Sequence, residues 1–117
     1  MVLYFQNNEE NDVAIADADW KRDYAEDLDV HQLRGMFLPS ERYRVSEFKY
    51  SAGTVIGGAM LPGKCFCFLG SVTFEFGEKP FRIDAGKWIQ LPGGSYRLRV
   101  DESSDSRIIL VWEIPSV

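Results

Sequence analysis

The chain has 117 residues and a mass of 13.4 kDa, room for one domain and little more. Its hydrophobic content of 45% excludes wholesale disorder. The formal charge of −5 is unevenly spread: residues 1–30 hold nine acids and two bases, a net of −7, while residues 31–117 hold eleven bases and nine acids, a net of +2. An acidic lead before a nearly neutral body argues against a general nucleic-acid binder, which needs a basic footprint for phosphates.

No apolar run approaches the roughly 18–20 residues that cross a bilayer, and the N-terminus shows no basic segment followed by an apolar stretch. Cys65 and Cys67 lie one residue apart on one expected strand, where a mutual disulfide is strained; they read as reduced thiols of a cytoplasmic protein with no membrane association. The single His31 leaves no His–Cys cluster for structural zinc. The run Val2-Leu3-Tyr4-Phe5-Gln6 resembles the recognition sequence of a viral protease used to remove tags and is set aside from the fold.

In chain order, residues 1–28 read as an acidic extension and 29–117 as the folded domain. Between Asp17 and Leu28 two readings stand: one short helix capped by Asp17 or Asp19, with Trp20, Tyr24 and Leu28 as its apolar stripe, or a loop pinned by Trp20. After Asp29, short runs rich in Val, Ile, Phe, Tyr and Leu alternate with Gly, Pro, Ser and Asp. Strands are expected near Val30–Leu38, Tyr43–Tyr50, Thr54–Met60, Lys64–Leu69, Val72–Phe76, Lys79–Ile83, Lys87–Leu91, Tyr96–Val100 and Arg107–Ile114. No long helical pattern interrupts them, so the chain is all-β, a sandwich or jelly roll.

Two segments carry a family resemblance. Lys64-Cys65-Phe66-Cys67-Phe68-Leu69-Gly70-Ser71-Val72-Thr73-Phe74 looks like a strand–Gly–strand turn, and Gly86-Lys87-Trp88-Ile89-Gln90-Leu91-Pro92-Gly93-Gly94-Ser95-Tyr96-Arg97 has the frame Gly, five residues, Pro, one residue, Gly, two residues. Over Gly53–Pro115 the chain resembles the cupin superfamily of small jelly-roll barrels, which implies a double-stranded β-helix. Metal-dependent cupins bind a divalent ion through two His and a Glu of the first motif and a His of the second. Here the Glu position falls on Gly63, the first two His positions fall near Ile56–Ala59, and the last falls on Arg97. None of these replaces an imidazole or carboxylate, so the resemblance implies the fold without its metal, and no cofactor is expected.

Strict alternation puts Cys65 and Cys67 on one strand face, toward the barrel cavity, and Phe66 and Phe68 on the other. The thiols are either compact fillers or a thiol-lined pocket. Arg97 is ambiguous: the motif alignment turns it inward, where it would hold an organic anion, whereas its alternation with Tyr96, Leu98 and Val100 turns it outward. Trp88 and Trp112 either line the cavity mouth or fill the core, and Tyr50 belongs with Tyr43 and Phe48 to a core or dimer-facing aromatic group. His31 reads as an ordinary strand residue. The candidate cavity residues are therefore Cys65, Cys67, Arg97, Trp88 and Tyr50, with Tyr96 added if the protein is an enzyme.

Three functions follow as expectations: a metal-free small-molecule binding or regulatory module, a cofactor-free or atypical-metal isomerase or cyclase, or a packed barrel that serves as an interaction protein. A homodimer is expected, because sixteen aromatic residues exceed what one small core needs. A small organic anion is the expected ligand.

Overall fold

The computed structural model describes residues 19–24 and 27–114. The run at residues 2–6 that resembles a protease recognition sequence and the candidate cap Asp17 lie outside them. Eight strands follow two short helices: α1 (Trp20–Asp23), α2 (Val30–Met36), β1 (Tyr43–Tyr50), β2 (Val55–Met60), β3 (Gly63–Leu69), β4 (Ser71–Phe76), β5 (Lys79–Asp84), β6 (Trp88–Leu91), β7 (Gly94–Val100) and β8 (Ser106–Glu113). The strands form two four-stranded antiparallel sheets, ordered β1-β8-β3-β6 and β2-β7-β4-β5. First pairs with last, second with seventh, third with sixth and fourth with fifth. This is one long hairpin folded over on itself, the jelly-roll topology. The turn glycines of the resemblance, Gly70 and Gly86, have φ of 71° and 91°, a region that favours glycine.

Period-two alternation sorts each strand between the two faces. Cys65, Cys67, Val72, Phe74, Ile83, Ile89, Leu91, Leu98, Ile108 and Leu110 point between the sheets and form the buried core. On the first sheet the alternate residues, Phe66, Ile109 and Val111, are buried as well, because the N-terminal segment covers that outer face with Trp20, Leu28 and Leu33. On the second sheet the outer face is solvated and carries Arg82, Arg97 and Arg99. Among the described residues, no helix is long and apolar enough to cross a membrane.

The cover combines both readings of residues 17–28. Asp19 caps a single turn of helix by accepting from the Lys21 amide at 2.9 Å, and Trp20 pins that turn to the sheet. The Trp20 indole N–H donates to the Cys67 carbonyl at 2.8 Å, and its ring lies 4.8 Å from that of Phe68. Tyr24 meets Phe66 and Trp88 edge-on. The expected strand at Val30–Leu38 is instead α2. Asp29 accepts from the Gln32 amide at 2.8 Å, and Val30, Leu33 and Phe37 fall on one helical face against the sheet. His31 is thus an exposed helix residue.

Candidate functional site

The two sides of the sandwich differ. Where β5 and β6 meet, the inward residues Phe81, Ile83, Ile89 and Leu91 are buried. On the opposite side β1 and β2 are edge strands of different sheets with no hydrogen-bonded ladder between them. There the inward residues Phe48, Tyr50, Ile56, Met60 and Tyr96 are only half-buried. Among the described residues this side, between the β1 and β2 edges, is the less closed one and forms the candidate cleft.

Register fixes what lines the cleft. On β1, Arg44, Ser46, Phe48 and Tyr50 face Trp112, Leu110, Ile108 and Ser106 of β8, all on the inner face. On the other wall, Gly58 of β2 pairs with Tyr96 of β7. A Cβ at Gly58 would lie 3.2–3.4 Å from the Tyr96 ring and hydroxyl, so the missing side chain leaves room for that ring. Phe74 and Phe76 hold Tyr96 at ring distances of 5.6 and 5.9 Å, and Phe48 stacks on Tyr50 at 6.1 Å. Among the described residues neither tyrosyl oxygen has a hydrogen-bond partner, and Arg44 has no ion pair. At the Tyr50 end a depression of about 320 Å³ opens between Lys49, Ser106 and Arg107. The Ser106 hydroxyl there is buried without a partner, an orphan of the kind native interiors rarely keep.

The thiols lie beneath the cleft, in the core. Cys65 and Cys67 are both fully buried and free. Burial pushes the Cys65 thiol well above its usual range, and the neighbouring Cys67 adds to the effect. Burial likewise raises Cys67 to about 11, and its S–H points to the Leu69 and Gly70 carbonyls. Burial, then Tyr96 and Cys65, push the Tyr50 phenol up. All three groups are therefore neutral at physiological pH, so the cleft holds no preformed thiolate nucleophile.

Two of the five sequence candidates lie elsewhere. Arg97 is exposed on the outer face of the second sheet, between Gly57 and Glu75 of the flanking strands. Alternation is the right guide for it, and the motif frame, which turned it inward, is one residue out of step with the pleat. Trp88 is on the outer face of the first sheet, packed on Phe66 and Tyr24, with its N–H donating to Asp23 at 2.8 Å. It belongs to the interface with the N-terminal cover, since Ile89 and Leu91 take the inward positions of β6. Tyr50, Cys65 and Cys67 do point inward, and Tyr96 joins them. Arg44 and Ser46 were not singled out for the cleft, although counting by twos from Tyr50 along β1 reaches both.

The metal centre that the fold's relatives carry does not fit these residues. The inward positions of β2 are Ile56, Gly58 and Met60. Gly63 could not be a carboxylate, because even a Cβ there would collide with the Val111 carbonyl and lie 2.8 Å from Trp112. Arg97 faces outward and offers no lone pair. Among the described residues no three His, Cys, Asp or Glu side chains come together in a metal-binding group.

No protein-family model and no curated protein matches the chain. Solved structures do. A cupin superfamily protein from Desulfitobacterium hafniense DCB-2 superposes with a TM-score of 0.55 at 11% identity, covering 68% of this chain and 73% of that one. A cupin-2 domain protein from Shewanella frigidimarina gives 0.53 at 9%, covering 76% and 96%. The cupin_2 domain of an XRE family transcriptional regulator from Enterobacter cloacae gives 0.55 at 8%, covering 64% and 84%. The architecture foreseen from two diverged motifs is the one observed: this chain has the cupin fold, a double-stranded β-helix.

Proposed function

We propose that the chain is a small-molecule binding module that takes its ligand in the cleft between β1 and β2. The observation that carries this reading is the set of unpartnered polar groups on an aromatic wall: the Tyr50 and Tyr96 hydroxyls, the buried Ser106 hydroxyl and, beyond Ser46 on the same inner face, the free Arg44 guanidinium. Flat apolar walls with a few polar groups suit a small organic molecule. A guanidinium at the mouth suits a carboxylate tail, held in bidentate fashion. The ligand class is therefore a small aromatic or otherwise flat organic anion. Burial of the two thiols disfavours a thiolate nucleophile in the cleft. A regulatory role is consistent with the Enterobacter cloacae domain of the same fold, which is part of a transcriptional regulator.

The test is a ligand-observed NMR and thermal-shift panel of aryl carboxylates, each paired with its neutral amide. The expected result is binding by members of the carboxylate set, weakened by Arg44→Ala. A panel without any binder, or one in which amides bind as well as acids and Arg44→Ala changes nothing, overturns the reading.

A further inference from the structure

A lysine sunk beside a carboxylate forms an ion pair, whereas one sunk among neutral groups keeps a charge that its surroundings disfavour. Lys64 is of the second kind. It lies on the outer face of β3, two residues before Phe66, and its neighbours across the sheet are Val111 of β8 and Gln90 of β6. The residue is half-buried, and its ammonium sits 5.6 Å from the centre of the Trp88 ring. Lys64 Nζ donates to Gln90 Oε1 at 2.8 Å. Gln90 Nε2 in turn donates to the Gly63 carbonyl at 2.9 Å, which fixes the amide so that its oxygen is the end presented to the lysine. Among the described residues no carboxylate pairs with Lys64. Asp23 is taken by Arg22 and by the Trp88 indole, Glu47 by Arg107 and Glu113 by Arg42. Tyr24, edge-on to Trp88, is a phenol that burial keeps neutral.

We propose that Lys64 is an acyl-accepting site of this chain, modified on Nζ by acyl thioesters. An exposed lysine near neutral pH is deprotonated in only about one molecule in a thousand. Burial without a counter-charge lowers the proton affinity of Lys64 and raises that fraction. The bond to Gln90 uses one of the three ammonium hydrogens, so loss of another leaves a lone pair on a nitrogen already held in place. That nitrogen attacks the thioester carbonyl carbon. The C–N bond forms, the C–S bond breaks, and the thiolate leaves with the bonding pair and takes up the proton that the nitrogen sheds. The product is a neutral amide whose one N–H still suits Gln90 Oε1. Modification therefore removes the half-buried charge and keeps its hydrogen bond. The groups against Nζ, the Trp88 ring and the Gln90 amide, are uncharged and offer nothing to a phosphate. An uncharged thioester with a short apolar acyl chain, laid on the indole face, suits them better than an acyl phosphate. The inference uses neither the cleft nor its ligand.

The experiment treats the full chain near neutral pH with the neutral thioester S-acetyl-N-acetylcysteamine and follows acetylation of each lysine by peptide mass spectrometry. The urea-unfolded chain gives the intrinsic rate at each position. The expected result is a folded-to-unfolded rate ratio above one at Lys64, several-fold higher than the ratios at the exposed Lys21 and Lys49. Gln90→Glu sets a carboxylate against Nζ. It is expected to bring the Lys64 ratio down to those of Lys21 and Lys49 or below, and to leave theirs unchanged. A wild-type Lys64 ratio no higher than theirs, or a Gln90→Glu chain in which Lys64 reacts as in the wild type, overturns the proposal. If Gln90→Glu fails to fold by circular dichroism, the pH profile of the wild-type rates decides. The Lys64 rate then levels off at a lower pH than the Lys49 rate if the proposal holds, and at the same or a higher pH if it fails.

Discussion

Removing the Trp20 side chain tests whether the N-terminal segment is part of the core. Trp20 is 6% exposed, and it makes three kinds of contact: the indole bond to the Cys67 carbonyl at 2.8 Å, the ring contact with Phe68 and the backbone bond to Gly86. A buried Trp→Ala replacement costs about 3–5 kcal/mol. The lower end applies here, because the cover can fray before the barrel opens, so the expectation for Trp20→Ala is about 3 kcal/mol. At that size the melting temperature of a chain of this length falls by about 10 °C. Trp20→Phe keeps most of the packing and removes one of two donors to the Cys67 carbonyl, which still accepts from the Gly86 amide at 2.9 Å, for a loss of about 1 kcal/mol. Urea denaturation followed by circular dichroism measures both, and binding of a hydrophobic dye reports whether Phe66, Phe68 and Trp88 become exposed in the alanine variant. A loss below about 0.5 kcal/mol for Trp20→Ala, with no dye binding, would refute the claim that the segment completes the fold.

Three other outcomes follow. The native thiols should resist alkylation at pH 8 and react fully once the chain is unfolded. Their pKa values are raised in the folded state, so the stability they contribute is intact below the ordinary thiol value and is lost as pH climbs from about 9 toward 11; Cys67→Ala should flatten that decline in denaturation midpoints. Asp23, hydrogen-bonded by Arg22 and by the Trp88 indole, titrates below its usual value. Its contribution is therefore present above about pH 4 and lost as pH falls through the lower folded value, and Asp23→Asn should remove that acid-side change in Trp88 fluorescence. Gly63→Glu, which puts a carboxylate at the position where metal-binding relatives keep one, should destabilise the barrel without creating metal affinity; recovery of stoichiometric iron or manganese by elemental analysis would contradict the steric argument.

The strands were legible to within a residue or two because turn residues bracket each one and branched and aromatic residues fill them. Tyr43–Tyr50 was read with its observed limits. The failure at Val30–Leu38 has a physical cause. Val, Leu, Met and Phe in a short run satisfy a strand template, while the helical signal is a single cap, Asp29, and three apolar positions over two turns. The inward thiols follow from period two alone. The faces taken by Trp88 and Arg97 follow from the same rule, yet the family frame turned Arg97 inward, and Trp88 stood between the cavity mouth and the core. The opening between β1 and β2 is not written in any local pattern. It arises because both strands end up as edges of different sheets, a property of the topology rather than of either segment.

The apolar runs of the strands also record which sheet is buried on both faces. Phe66-Cys67-Phe68 and Ile108-Ile109-Leu110-Val111 are continuous because β3 and β8 have core on one side and the N-terminal cover on the other. On the second sheet, Tyr96-Arg97-Leu98-Arg99-Val100 and Phe81-Arg82-Ile83 alternate because one face meets water. A continuous run in an antiparallel strand therefore demands something to lie on its second face, and residues 19–24 and 27–37 supply it. β2 is the exception on the solvated sheet: its outer positions, Val55, Gly57 and Ala59, hold no polar side chain.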